Sequence, residues 1–139
     1  MTALHDLTGE QLRRRIAERL GYAVIPWKGA YTIAYQGIPN DLYLGSGPDD
    51  AWGLACEGLY PLIPDWPTDE GAALTACMDV ARERDMMLRM YPALNADGDA
   101  MIAAELYEDE ERGEEYAACT PTLARALAEL LAAALEVQP

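Results

Sequence analysis

Carboxylates are the side chains most able to do chemistry in this sequence. Of its 139 residues, 24 are Asp or Glu and 10 are Lys or Arg, a net charge of -14. Two adjacent acids can share general acid and base work, and Asp49-Asp50 or Asp97 and Asp99 are the candidates. Where acids are this plentiful, such a pair carries little information. Asp97-Gly98-Asp99 also belongs to a turn on conformational grounds. Residues 95–99 begin like a calcium loop, but the glutamate required at the twelfth position falls on Leu106. No G-x-S-x-G, phosphate loop, dinucleotide glycine pattern or H-E-x-x-H is present. The lone His5 and the scattered Cys56, Cys77 and Cys119 do not supply the four close ligands of a structural zinc site. The expectation is a protein that is not an enzyme and uses neither metal nor cofactor.

Charge is unevenly distributed. Residues 1–30 carry a net +2, whereas residues 41–85 hold ten acids against Arg82 and Arg84. Residues 105–115 hold seven acids (Glu105, Glu108, Asp109, Glu110, Glu111, Glu114 and Glu115) against Arg112. A sequence pI near 4.2 argues against direct nucleic-acid binding, which draws its affinity from neutralised phosphates. It argues equally against an anionic membrane surface, and no apolar run nears the ~20 residues of a membrane span.

The acidic run reads in two ways. It is a solvated loop that keeps the chain soluble. Alternatively, it joins the acids of 41–85 in one negative surface that steers a basic protein partner. A second constellation is basic. Arg13, Arg14 and Arg15 read as a solvated helix face, or as an anion site with Trp27 to stack a base, which would make the chain a sponge for a nucleotide signal. Three cysteines without a CxxC read as reduced thiols, and the opening residues lack a signal-peptide layout, so a cytoplasmic protein is expected.

The elements that must carry these groups follow from local patterns. Thr8 and Gln11 form a capping box, Leu7 and Leu12 a hydrophobic staple, and Leu12, Ile16 and Leu20 one apolar face ending at Gly21. Strands are predicted over 22–25, 31–35 and 42–44, with a turn at 26–29. Gly and Pro punctuate 45–67, which reads as irregular, under an insertion of about 37–67 into the domain. A helix capped by Thr68 runs to Arg84-Asp85. Strands follow over 86–91, 100–107 and 116–119. On the second of these, Met101, Ala103, Glu105 and Tyr107 share one face, and Ile102, Ala104 and Leu106 the other. The last helix starts at a Thr120 cap with Pro121 in its first position. Its leucines form a buried face, Arg125 and Glu129 lie on the other side, and Ala124, Ala128 and Ala132 are read as a possible homodimer face. This order predicts a single α+β domain over residues 1–139, with a small antiparallel sheet packed by helices, sandwich-like.

Two stretches carry a family resemblance. Tyr60-Pro61-Leu62-Ile63-Pro64-Asp65-Trp66-Pro67-Thr68-Asp69 leads into Ala72-Ala73-Leu74, and Cys119-Thr120-Pro121-Thr122-Leu123-Ala124-Arg125-Ala126-Leu127 opens the last helix. With Leu20-Gly21-Tyr22 closing the first helix, they resemble the phage ABA-sandwich domain. The Gly/Pro-rich 37–60 segment departs from that pattern, as does Leu74, where the family often has an aromatic. The resemblance implies a phage or prophage accessory protein with no catalytic residues. The combined expectation is stoichiometric inhibition of a host protein, of defence or nucleic-acid processing, through the acidic surface.

Overall fold

A computed structural model describes residues 3–108 and 115–136. After a 3-10 turn at Leu4–Asp6 come helix α1 (Gly9–Leu20) and strands β1 (Tyr22–Trp27), β2 (Ala30–Tyr35) and β3 (Ile38–Pro39). Helices α2 (Pro48–Cys56) and α3 (Glu70–Arg84) follow. Strands β4 (Met87–Leu94), β5 (Ala100–Tyr107) and β6 (Glu115–Thr120) precede helix α4 (Leu123–Glu136). The class is α+β and every strand pairing is antiparallel.

The strands divide between two three-stranded sheets, β1-β2-β3 and β4-β5-β6, rather than forming the one sheet expected. Two-residue turns explain the first. Lys28-Gly29 and Gln36-Gly37 all have positive φ, the conformation that a tight hairpin of right-handed twist demands. The hairpins pair β1 with β2 and β2 with β3 as sequence neighbours, and β1 and β3 are the edges of this sheet. Trp27 therefore ends β1 instead of lying in the turn. The 42–44 segment is no strand; a single bridge joins Tyr31 to Gly45.

Helix α2 interrupts the stretch expected to be irregular. Gly47 precedes it, Pro48 starts it, Asp49 and Asp50 occupy its first turn, and Ala51 and Ala55 form its buried stripe. Gly47 and Pro48 mark the helix start and Gly58 follows its end, while Gly53 lies within it. Two cap assignments shift. Asp69, not Thr68, caps α3, its Oδ1 accepting from the Ala72 N–H at 3.1 Å. Thr122, not Thr120, caps α4, its hydroxyl accepting from the Arg125 N–H at 3.3 Å. The Thr8–Gln11 capping box forms in both directions.

Helices α1 and α4 pack together, with α3 beside α4. The first sheet leans on α1 and α2, and the second on α4 and α3. One buried cluster runs through the molecule, with Leu12 and Ile16 of α1, Ile33 of β2, Cys77 of α3, Leu106 of β5 and Leu127, Leu130 and Leu131 of α4. Helix α4 is apolar nearly all round because it is surrounded. Ala124, Ala128 and Ala132 are buried inside this chain, so that stripe is intramolecular and offers no dimer face. Arg125 and Glu129, expected outside, are also enclosed. Arg125 donates to Glu129 at 2.7 Å and to the carbonyls of Leu4 and Leu7, tying the N-terminal turn to α4. Among the described residues, no helix is long and apolar enough to cross a membrane.

Candidate functional site

The alternation along β5 gives the second sheet two different faces. Ile102, Ala104 and Leu106 turn to α4, as their pattern predicts, and pair with Pro92, Met90 and Leu88 of β4. The opposite face carries Met101, Ala103, Glu105 and Tyr107, beside Met87, Arg89, Tyr91 and Ala93 of β4 and Glu115, Ala117 and Cys119 of β6. Among the described residues nothing covers this face. Met87 is 60% and Tyr91 42% exposed, and Ala117 and Cys119 are exposed as well.

Glu105 sits at the centre of the open face yet is only 8% exposed. Its neighbours roof it. Arg89, directly opposite on β4, donates its Nε–H to Oε2, and the Tyr91 hydroxyl donates to Oε1 at 2.6 Å. The Arg89 guanidinium lies 4.8 Å from the Tyr107 ring centre and 5.9 Å from that of Tyr91, within cation–π range. The Tyr91 phenol, and then Arg89, hold the Glu105 carboxyl below its usual range. The same hydrogen bonds from the carboxylate's side raise Tyr91 and Arg89 above theirs. Beside this network lies a shallow hollow of about 300 Å³, lined by Tyr91, Ala93, Ala103, Glu105, Ala117 and Cys119. The small alanines make the sheet surface recede there.

The acidic run is thus split in role. Glu105 is neutralised inside the network. Glu108 and Glu115 flank the β5–β6 connection, where Tyr107 pairs with Glu115. Asp109, Glu110, Glu111 and Glu114 lie outside the described residues. Three of the acids of 41–85 make local contacts. Asp41 accepts from Trp27 at 2.6 Å and pairs with Lys28, which lowers its pKa; Asp50 accepts from the Ser46 N–H; Asp69 caps α3.

The basic constellation does not assemble. Arg13 is 4% exposed and turned inward, donating to the carbonyls of Pro64 and Cys56 at 3.2 Å each and to that of Ile63. Arg14 pairs with Glu18 and stacks 5.0 Å from the Trp52 ring centre, while Arg15 pairs with Glu136. Trp27 is engaged with Asp41 in the first sheet. Consecutive helix positions point 100° apart, so three adjacent arginines cannot converge on one anion. The anion-site reading is corrected accordingly.

Sequence reasoning found Glu105 but missed Arg89 and Tyr91. Their period-two spacing placed them on one face of β4; only the cross-strand register, which no local signal carries, sets them against Glu105. Among the described residues no group of His, Cys, Asp or Glu converges as a metal site would. No family model, curated protein or solved structure matches this chain.

Proposed function

We propose that the chain acts by stoichiometric binding, docking the open face of the β4–β6 sheet on a protein with a basic surface and inhibiting it. The observation that carries this reading is the uncovered face itself. It presents aromatic, Met and Arg side chains, the types enriched in interface centres, with Glu108 and Glu115 at its edge. Pairing Glu105 with Arg89 leaves the centre of the face without net charge. The carboxylates at its end would then set orientation and on-rate. The resemblance to the phage ABA-sandwich domain supplies the setting of the proposal: a phage-encoded accessory protein directed at a host defence or nucleic-acid-processing component in the cytoplasm.

The test is capture from host lysate with mass spectrometry, using the wild type and a Glu108→Lys/Glu115→Lys variant. A cationic protein retained in equal amount by the wild type, released as salt rises and lost from the variant, is the expected result. Capture that ignores both salt and charge reversal would remove the acidic edge from the account.

A further inference from the structure

The second sheet has a bare edge as well as an open face. Its order is β4-β5-β6, so β4 pairs on one side only. Among the described residues β4 is the longest edge strand, with eight residues against six in β1 and β6 and two in β3. The turn that follows it fixes which backbone groups this edge offers. The Asn95 N–H donates to the Asp99 carbonyl at 3.1 Å. Counted back from that pair, the N–H and C=O groups of Ala93, Tyr91, Arg89 and Met87 point to β5. Those of Leu88, Met90, Pro92 and Leu94 point outward. Pro92 agrees with this, since a strand proline sits where no partner needs its N–H. Among the described residues, no backbone bond outside the ladder reaches the N–H of Leu88, Met90 or Leu94. Edges of this length are usually blunted by lysine, bulges or inward charge. Here pairing runs from Met87 to Leu94 without a bulge, and Pro92 removes a single donor. The strand's one charged side chain, Arg89, is bonded to Glu105. Met90 and Leu94 lie on the helix side of β4 yet are 41% and 71% exposed, so the helices stop short of this edge.

We infer that the partner adds a strand to β4. An extended segment, apolar at alternate positions and with Lys or Arg at both ends, pairs its backbone with Leu88–Leu94. The inference rests on the proposed function for the existence of a basic protein partner, and it names the element that partner supplies. Charge selects the occupant. Asp85 stands just ahead of β4, and Asp97 and Asp99 occupy the turn just after it, all three exposed. The ion pairs nearby, Asp79 with Arg82 and Glu105 with Arg89, include none of them, and Arg84 donates to the Ala134 carbonyl. Cationic ends of an added strand therefore meet carboxylates whichever way it runs. A second copy of this chain is the wrong occupant. Two β4 strands paired antiparallel about a two-fold axis would set the Asp97–Asp99 end of each against the Asp85 end of the other, like charge on like. Alternate side chains of the added strand lie beside Met90 and Leu94 on one side of the sheet and beside Met87 and Tyr91 on the other, continuous with the open face.

The probe is a peptide with blocked ends, Lys-Lys-Val-Thr-Val-Thr-Val-Lys-Lys, titrated into the full chain and followed by fluorescence anisotropy and amide hydrogen exchange. Saturable binding is expected, slowing exchange at Leu88, Met90 and Leu94 and weakening as salt rises. Methylating the peptide's central amide nitrogens should weaken binding at least about tenfold, as should replacing its lysines by glutamates. Met90→Pro removes an outward donor without touching the β5 ladder and should do the same. Asp97→Asn/Asp99→Asn, which keeps turn-forming side chains, should weaken binding by a smaller factor. The methylated peptide leaves the protein untouched and decides the matter if Met90→Pro does not fold. No saturable binding overturns the inference. So does binding indifferent to methylation, protection of other amides instead, or protection of these amides by self-association of the chain without peptide. Ala117→Arg blocks the open face away from this edge. A cationic lysate protein lost by Ala117→Arg but kept in full by Met90→Pro would overturn the added strand and leave the proposed function standing. Peptide pairing at β4 with no cationic protein captured would remove the proposed function and leave the edge site.

Discussion

Burying a guanidinium is costly unless its donors meet acceptors, and Arg13 meets three carbonyl oxygens. One carbonyl is the last of α2, where no intrahelical donor follows, and two belong to the irregular stretch after it, so the arginine does for 56–64 what a ladder does for a strand. Charge-assisted bonds to backbone oxygens are stronger than neutral ones, and here they close the loop between α2 and α3 onto α1. Arg13→Ala leaves those acceptors without their donors and opens a cavity, at a cost of about 3 kcal/mol. Arg13→Lys should recover only a small part, since one ammonium cannot span three carbonyls held in a fork. Denaturant unfolding of the two variants checks this. If Lys restores wild-type stability, the fork geometry is irrelevant and only the buried charge counts. The neighbouring Arg14→Ala, half-exposed and paired with Glu18, should cost well under 1 kcal/mol.

Of the glycines, Gly45 has the least room. A Cβ there would fall 2.4 Å from the Ala51 backbone N and 2.8 Å from its Cα, so α2 could not lie against the segment that bridges to Tyr31. Gly45→Ala is expected to destabilise by about 2 kcal/mol through backbone displacement, with Gly53→Ala, which meets nothing and lies within α2, as the neutral-to-stabilising comparison. Thermal melts of the pair decide it; equal melting points would show that α2 shifts freely. This contact also marks where sequence reading stops. The Thr8–Gln11 box, the α1 stripe and the two-faced β5 were legible because every partner lies within a few residues along the chain. Helix α2 was not, since the Gly and Pro that bound it also disguise it. Nor was the division into two sheets, because short strands do not name their partners. The inward turn of Arg13 depends on carbonyls about fifty residues away, and the Arg89–Glu105–Tyr91 network on a register, both of which only the assembled fold provides.

Over the whole molecule, paired charges and unpaired acids pull stability in opposite directions. Arg14, Arg15, Lys28, Arg82, Arg89 and Arg125 each pair with a carboxylate, but a net charge of -14 leaves a large surplus of acids. Exposed pairs contribute only ~0–1 kcal/mol each, and salt weakens them. Salt also weakens the mutual repulsion of the surplus, and shortening the Debye length from about 30 Å to about 8 Å screens most of it. Repulsion among the surplus acids outweighs the attraction within the pairs, so the melting temperature at pH 7 should rise as salt goes from low to physiological levels. A fall would mean that the pairs, not the surplus, govern stability. Acid acts with two signs. Glu105 and Asp41 are both held below the usual carboxylate range in the folded chain. Their contribution is therefore complete above the unfolded pKa near 4 and is lost as pH falls through their depressed values. Mild acidification that protonates surplus carboxylates relieves repulsion before it reaches these two. Stability should accordingly peak on the acidic side of neutrality and drop below about pH 4. In Glu105→Gln, whose neutral amide keeps the shape but not the charge opposite Arg89, that final drop should be shallower. A parallel drop in the variant would assign it to other carboxylates.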